Sequence, residues 1–463
     1  MKKILSYVFG AIMIVLLGIL LAFMLRLPMT QNVPREEGGR IVLFSSFVLF
    51  MMFRMPIAFC LGIPALLTAI YLRLPAMVVF QRMSAGINAF SLIAIPFFIL
   101  AGQIMAEGGI AQKIVEFSNI LIGRVRGGLA MVNILASMFF GGVSGSSVAD
   151  TSSIGAFLIP MMVRQGYDRD FSIAVTITSS TLGIIIPPSH NMIIYSLAAG
   201  GVSVGALFMA GYIPGIMVGL AQMLVAYIIS VKRNYPIAGK VGLKEALIIT
   251  RDSILGLLVG IIIIAGIIFG VFTATEASVV AAVYALFITA FVYKTMDLKK
   301  LLRTFQSTAV VIAMVLFIIA SSSAFGYLLA YLKVPALVAG ALTSITTNKY
   351  VLLLLINLML LFLGMIMDMA PLILITTPIL LPLVRSLGIS PVQFGIVMMI
   401  NLGIGLCTPP VGTTLFVGCA IGKSTMERVA KASIPFYLAM IAILLLVTYV
   451  PWFTMFLGGR FAR

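Results

Sequence analysis

Two stretches of this sequence set paired prolines and small polar residues inside long apolar runs: Ile186-Pro187-Pro188-Ser189-His190-Asn191 and Cys407-Thr408-Pro409-Pro410-Val411-Gly412-Thr413-Thr414. Proline lacks an N–H and clashes with the preceding turn, so a double proline stops a helix and frees its last carbonyls. In hydrocarbon those carbonyls need partners from protein, water or an ion. The half-helix that ends there offers carbonyls to a cation, and the one that begins beyond it offers N–H groups to a carboxylate. Ser189 and Asn191 add side-chain ligands, and His190 either donates to a substrate or caps the break. Thr408, Gly412, Thr413 and Thr414 hold the corresponding places in the second stretch.

Two further clusters lie where apolar regions are interrupted. Ser144-Gly145-Ser146-Ser147-Val148-Ala149-Asp150-Thr151-Ser152-Ser153 is the densest run of hydroxyls. Its oxygens suit Na⁺ or an anionic substrate, although Ser and Gly also serve plain close helix packing. Gly364-Met365-Ile366-Met367-Asp368-Met369-Ala370-Pro371 contributes Asp368, with Thr376 and Thr377 beyond it. An acid in apolar surroundings marks an ion or proton pathway, or caps the half-helix that follows. Glu276, in Thr273-Ala274-Thr275-Glu276, reads as a helix-start acid. Gly142-Val143-Ser144-Gly145 fits the GxSG pattern of rhomboid-type intramembrane serine proteases, with Ser144 as nucleophile and His190 as base. Four residues in a Gly/Ser-rich loop are a weak match, and His190 follows two prolines instead of lying on a continuous helix.

The elements that must position these residues are transmembrane. Of 463 residues, 62% are hydrophobic and 9% charged, and the apolar runs exceed the length that spans a bilayer. The net charge of +17 sits in short groups between those runs, the pattern of cytoplasmic loops and not of a nucleic-acid surface. Cys60, Cys407 and Cys419 match no metal or disulfide spacing and read as packing residues. The run at 4–26 is long for a signal peptide and lacks a small-residue cleavage site, so a retained helix is expected. Trp452 reads as an interfacial anchor.

Apolar runs predict eleven crossings, near 4–26, 41–53, 55–73, 84–106, 170–200, 203–231, 252–272, 276–293, 304–330, 391–421 and 430–457. Two helical hairpins, about 128–163 and 350–384, are expected to enter and leave on one side. With a cytoplasmic N-terminus and a periplasmic C-terminus, basic residues divide twenty inside to ten outside, as the positive-inside rule requires. The segments 107–127 and 330–350 read as paired amphipathic arms.

At one offset of 222 residues Phe140 meets Phe362, Gly142 meets Gly364, Pro160 meets Pro382, Gly183 meets Gly405, and Pro187-Pro188 meet Pro409-Pro410. A gapless offset through both hairpin and break predicts an internal duplication of inverted topology. The expected fold is an all-α polytopic membrane protein with two re-entrant hairpins and two discontinuous helices. Its predicted parts are an extra N-terminal helix and periplasmic linker (1–39), a first repeat (40–231), a cytoplasmic connector (232–251) and a second repeat (252–463).

The runs Phe139-Phe140-Gly141-Gly142-Val143-Ser144-Gly145-Ser146-Ser147, Ile159-Pro160-Met161-Met162, Gly166-Tyr167-Asp168 and Leu182-Gly183-Ile184-Ile185-Ile186-Pro187-Pro188-Ser189 resemble the large membrane subunit of TRAP transporters, the tripartite ATP-independent periplasmic transporters. Ile95-Pro96-Phe97-Phe98-Ile99-Leu100-Ala101-Gly102 and Cys407 to Gly412 extend the resemblance, which runs from about Arg40 to the C-terminus. It implies an elevator-type, Na⁺-coupled secondary transporter of the inner membrane. It also implies a small membrane subunit and a periplasmic binding protein that delivers organic or sugar acids.

Carried over by position, the first Na⁺ site uses Ser144, Ser146, Ser147, Pro187 and Ser189, and the second Gly364, Asp368, Thr408, Pro409 and Thr413. Asp150, Thr151, His190, Asn191, Gly412 and Thr414 are the candidates for substrate contact. No GxxxxGK[ST] loop is present, so an ion gradient is expected to supply the energy. No cofactor, no metal beyond Na⁺ and no catalytic activity are expected. The other transport reading is a stand-alone Na⁺/dicarboxylate symporter.

Overall fold

The computed structural model describes residues 2–25, 27, 30–237 and 242–461. Arg26, Lys240 and Arg463, three of the charges used to orient the chain, lie outside the described residues, as does part of the predicted connector.

Helices account for nearly all of the fold, and among the described residues there is no strand. In chain order the first six are α1 (Lys2–Met24), α2 (Arg35–Met52), α3 (Ile57–Tyr71), α4 (Ala76–Ile87), α5 (Ala94–Glu107) and α6 (Ile110–Ile122). Next come α7 (Gly128–Ser144), α8 (Ser147–Arg164), α9 (Arg169–Ser179), α10 (Leu182–Ile185), α11 (His190–Ala198) and α12 (Val204–Lys232). The later part holds α13 (Leu243–Ile268), α14 (Ala274–Phe287), α15 (Leu298–Tyr331), α16 (Val334–Ile345), α17 (Lys349–Gly364) and α18 (Met369–Ser386). It ends with α19 (Pro391–Leu406), α20 (Thr413–Gly422), α21 (Met426–Tyr449) and α22 (Trp452–Gly458).

Seven described helices are long and apolar enough to cross a bilayer, or eight if the bent pair 169–185 and 190–198 counts as one span. The sequence reading of eleven crossings is higher because several apolar helices, such as Ile57–Tyr71 and Pro391–Leu406, have only 10–17 residues and fall short of about 30 Å at 1.5 Å per residue.

Two predicted crossings are broken. The 84–106 run stops at Ile87, passes through a 3₁₀ turn at Phe90–Ile93 and restarts as α5, with Pro96 in the first turn, where a missing N–H costs nothing. The 430–457 run ends at Tyr449, and Trp452 opens a separate short helix after Pro451, with 55% of its surface exposed. The two segments expected to be amphipathic arms contain helices α6 and α16, of which α16 is short and apolar. Glu276 closes a capping box: its backbone N–H donates to Thr273 Oγ1 (3.3 Å), and its carboxylate accepts from the Thr273 N–H (2.8 Å).

The chain divides into two compact units. One comprises residues 1–90, 313–347 and 373–383, with a core of Leu43, Leu61, Ala65, Phe325 and Leu328. The other comprises 91–312, 348–372 and 384–463. Part of its core is Ile159, Ile173, Ile177, Leu415 and Val429, together with Cys407 and Cys419, which pack there as the sequence predicts. All four candidate segments, both tips and both proline breaks, belong to this second unit.

Candidate functional site

At the first tip α7 ends at Gly145, whose φ of 62° is left-handed and whose N–H reaches back to Gly141 O at 3.1 Å. Ser146, in extended conformation, then caps α8 by accepting from Ala149 N (3.3 Å). One glycine and one hydroxyl thus reverse the chain in two residues.

The first break follows α9, which Asp168 caps through Phe171 N at 2.8 Å. The helical path ends at Ile185 and passes through Ile186 to Ser189, with a cis bond between Pro187 and Pro188, before restarting at His190 with a bend of 51°.

Tip and break meet backbone against backbone. A Cβ placed on Gly141 would lie 2.5 Å from Gly183 Cα, and one on Gly145 would lie 3.1 Å from Pro188 O and 3.3 Å from His190 N. Only glycine permits this approach. Ser144, Ser147, Pro187 and Ser189 are each buried, and the carbonyls of Pro187 and Pro188 lie against Gly142 and Gly145 of the tip. The Ser189 hydroxyl makes no hydrogen bond.

The second pair repeats the device with differences. Gly405 meets Gly364 so closely that a Cβ on Gly405 would fall 2.5 Å from Gly364 C. In the first pair the tip glycine in contact is Gly141, one position earlier than the 222-residue offset from Gly364. Val411 N donates to Met365 O (3.1 Å), holding the break to the tip. A cis bond joins Pro409 and Pro410, Thr408 Oγ1 donates to Ile404 O (2.7 Å), and Gly412 takes a left-handed φ of 48° before α20 begins. Asp368, one of the five residues expected at the second ion site, is exposed and accepts from Thr413 Oγ1 at 3.5 Å.

The first turn of α20 touches both tips. Thr413 bonds Asp368 of the second tip, and the next residue, Thr414, is bonded through Oγ1 to Ser147 Oγ of the first tip at 2.9 Å, fully buried. Sequence spacing carries no sign of this pairing, since it joins segments 267 residues apart.

Of the remaining candidates, Asp150 and Thr151 are fully buried on α8, and neither Thr151 Oγ1 nor either Asp150 oxygen makes a hydrogen bond. The hydroxyl of Ser137 on α7 is paired with that of Ser179 at 3.1 Å. Buried polar atoms left without protein partners are rare in folded proteins, which keeps Asp150 and Thr151 among the candidates. Asn191 is buried and His190 partly so. No hydrogen bond joins Ser144 to His190 among the described residues, so the nucleophile and base of a protease are not paired.

Sequence reasoning passed over the polar seam beside Asp150, where Asn133 donates to Thr176 Oγ1 (2.7 Å) and Ser137 meets Ser179. Its signal was available as polar residues at helical spacing on α7 and α9. Tyr212, whose hydroxyl donates to Pro187 O at 3.3 Å, has no such signal.

The chain matches the family described as "Tripartite ATP-independent periplasmic transporter, DctM component" over residues 44–453. It is 45% identical to the protein YgiK of Salmonella typhimurium, over 91% of this chain and 98% of that one. It is 40% identical to the C4-dicarboxylate TRAP transporter large permease protein DctM of Pseudomonas aeruginosa (78% and 84% covered). It is 38% identical to the sialic acid TRAP transporter large permease protein SiaM of Vibrio cholerae (82% and 89% covered). Among solved structures, the Alcanivorax borkumensis YdaH transporter shares the fold, with a TM-score of 0.59 at 15% identity over 89% of this chain and 97% of that one. The chain belongs to the DctM family, the large permease component of the tripartite ATP-independent periplasmic transporters.

Proposed function

We propose that this chain is the translocating subunit of a secondary importer that moves a small organic or sugar acid, driven by a Na⁺ gradient. A periplasmic binding protein delivers the substrate, and a small membrane subunit completes the complex. Family membership supports the transporter subunit and its two partners. Relatives named for C4-dicarboxylate and sialic acid support a carboxylate as cargo.

The observation that carries the mechanism is the first turn of α20. Thr413 stands on the second tip and Thr414 on the first, so one helix start adjoins both proposed ion sites. Neutral hydroxyl and carbonyl oxygens bind Na⁺ without titrating. N–H groups at the starts of α11 and α20 favour the substrate carboxylate. In this reading Na⁺ at the two tips docks each against its break, and the substrate carboxylate completes the arrangement between Asn191 and Thr414. The two repeats are of inverted topology, and the unit holding the tips moves as an elevator. The reading assigns no chemical reaction to the chain.

The test is uptake into proteoliposomes holding the complete complex. Uptake of a carboxylate that rises with inward Na⁺ and needs the binding protein is the expected result. Uptake unchanged when K⁺ replaces Na⁺ refutes the coupling, and full uptake by this chain alone favours the stand-alone symporter.

A further inference from the structure

Behind the first break lies a cavity of about 340 Å³ that the transport reading does not use. Its walls come from α7 (Met138, Gly142), the break (Pro187), α12 (Tyr212, Ile216) and α13 (Ile261), all within the second unit. Tyr212 brings the one hydroxyl or amide among the lining side chains, and it is spent on Pro187 O. A second, much smaller apolar space continues along Pro187 and Pro188 and shares Tyr212 and Ile264 with the first.

Water gains little here, since it needs two to four polar partners to reside in a cavity. The lining reaches the surface at Ile216, 44% exposed, and Ile261, 56% exposed, and these two residues mark its mouth. Both stand on helices long and apolar enough to cross a bilayer, so the opening is continuous with the lipid-facing surface.

We infer that this cavity binds one phospholipid acyl chain, which packs against the backs of Gly142 and Pro187. The chain then braces the first tip and break from the membrane side. Ions approach this tip through oxygen atoms, whereas the acyl chain reaches it only through carbon. The inference does not depend on which ion or substrate the transporter uses.

The test uses the purified complex in nanodiscs containing phosphatidylcholine with a photoactivatable group along one acyl chain. Illumination and peptide mapping then locate the label. Concentration of label on the peptides carrying Ile216 and Ile261, at least several-fold above that at Leu224, an exposed position on α12 outside the cavity, is the expected result. Ile216→Trp and Ile261→Trp, which plug the mouth from exposed positions, should each abolish that excess. Equal labelling of cavity and open lipid-facing positions, or an excess that survives both plugs, overturns the inference. The readout requires no transport, so its failure is separate from failure of the transport reading.

Discussion

Replacing Gly141 with alanine tests whether close docking of tip on break is what the proposed ion site requires. The new Cβ would lie 2.5 Å from Gly183 Cα and 2.7 Å from Gly183 N, both backbone atoms that cannot rotate aside. Ordinary carbon contacts lie at about 3.5–4.0 Å, so α7 and the break must part by roughly 1 Å. Overpacking of this kind costs about 1–3 kcal/mol. Charged wholly against the docked state, that raises the Na⁺ half-saturation of uptake roughly 5- to 150-fold, at about 1.4 kcal/mol per factor of ten. Gly183→Ala should do less, because its Cβ would meet Gly141 Cα at 3.2 Å. Gly326→Ala, with nothing within 4 Å, should leave the curve in place. The assay is initial uptake against Na⁺ concentration in proteoliposomes of the complete complex, normalised to incorporated protein. A Gly141→Ala variant that incorporates normally and keeps the wild-type half-saturation refutes the docking argument, as does a reversed order of Gly141 and Gly183.

Asp368→Asn should raise the Na⁺ half-saturation while leaving the amount of folded protein unchanged, since the side chain is exposed; an unaltered Na⁺ curve would remove it from the second site. Ser146→Ala should also weaken Na⁺ dependence, and in addition lower thermal stability by about 1 kcal/mol through loss of the α8 cap; stability loss alone would leave it a cap and nothing more. Asp168→Ala, which uncaps α9, should destabilise by a similar amount in a melting assay. Arg233→Gln should shift the melt by a few tenths of a kcal/mol at most, because its 3.6 Å pair with Asp168 is half exposed.

The breaks and tips were legible because two prolines together, a Gly/Ser run, or an acid between a glycine and a proline interrupts an apolar stretch in a way no membrane helix tolerates without purpose. The gap at Asn88 was not legible, because the residues around it are apolar on average and lack a double proline. The late break at Pro451 was missed for a related reason: one proline within a hydrophobic run is compatible with a kinked helix, and α12, α18 and α21 each carry prolines inside and continue. The 222-residue offset pairs Gly142 with Gly364 and Gly183 with Gly405 but says nothing of contact, and the glycine that meets Gly183 is Gly141. Sequence alignment counts residues, whereas close approach depends on which face a helix turns toward its neighbour.

The two tip-and-break pairs, each a proposed ion site, are built alike and stand differently. Around the first tip Ser144, Ser147 and Ser189 are buried, and the break lies against the tip at van der Waals distance. At the second, Asp368, Pro410 and Val411 are exposed, and a 3.1 Å backbone bond and a long 3.5 Å side-chain bond hold the break to the tip. Coupling between such sites requires an element that both can bias. The start of α20 is placed to serve, because Thr413 and Thr414 are adjacent residues facing different tips. Ser147→Ala and Thr414→Val each delete one side of the buried 2.9 Å bond, and each single change leaves the other hydroxyl unsatisfied at about 1–3 kcal/mol. The double variant removes both groups, so its stability loss should be smaller than the sum of the singles by about 0.5–3 kcal/mol. If α20 couples the sites, the same three variants should also flatten the Na⁺ cooperativity of uptake; additive stability losses with cooperativity intact would leave the two tips acting independently.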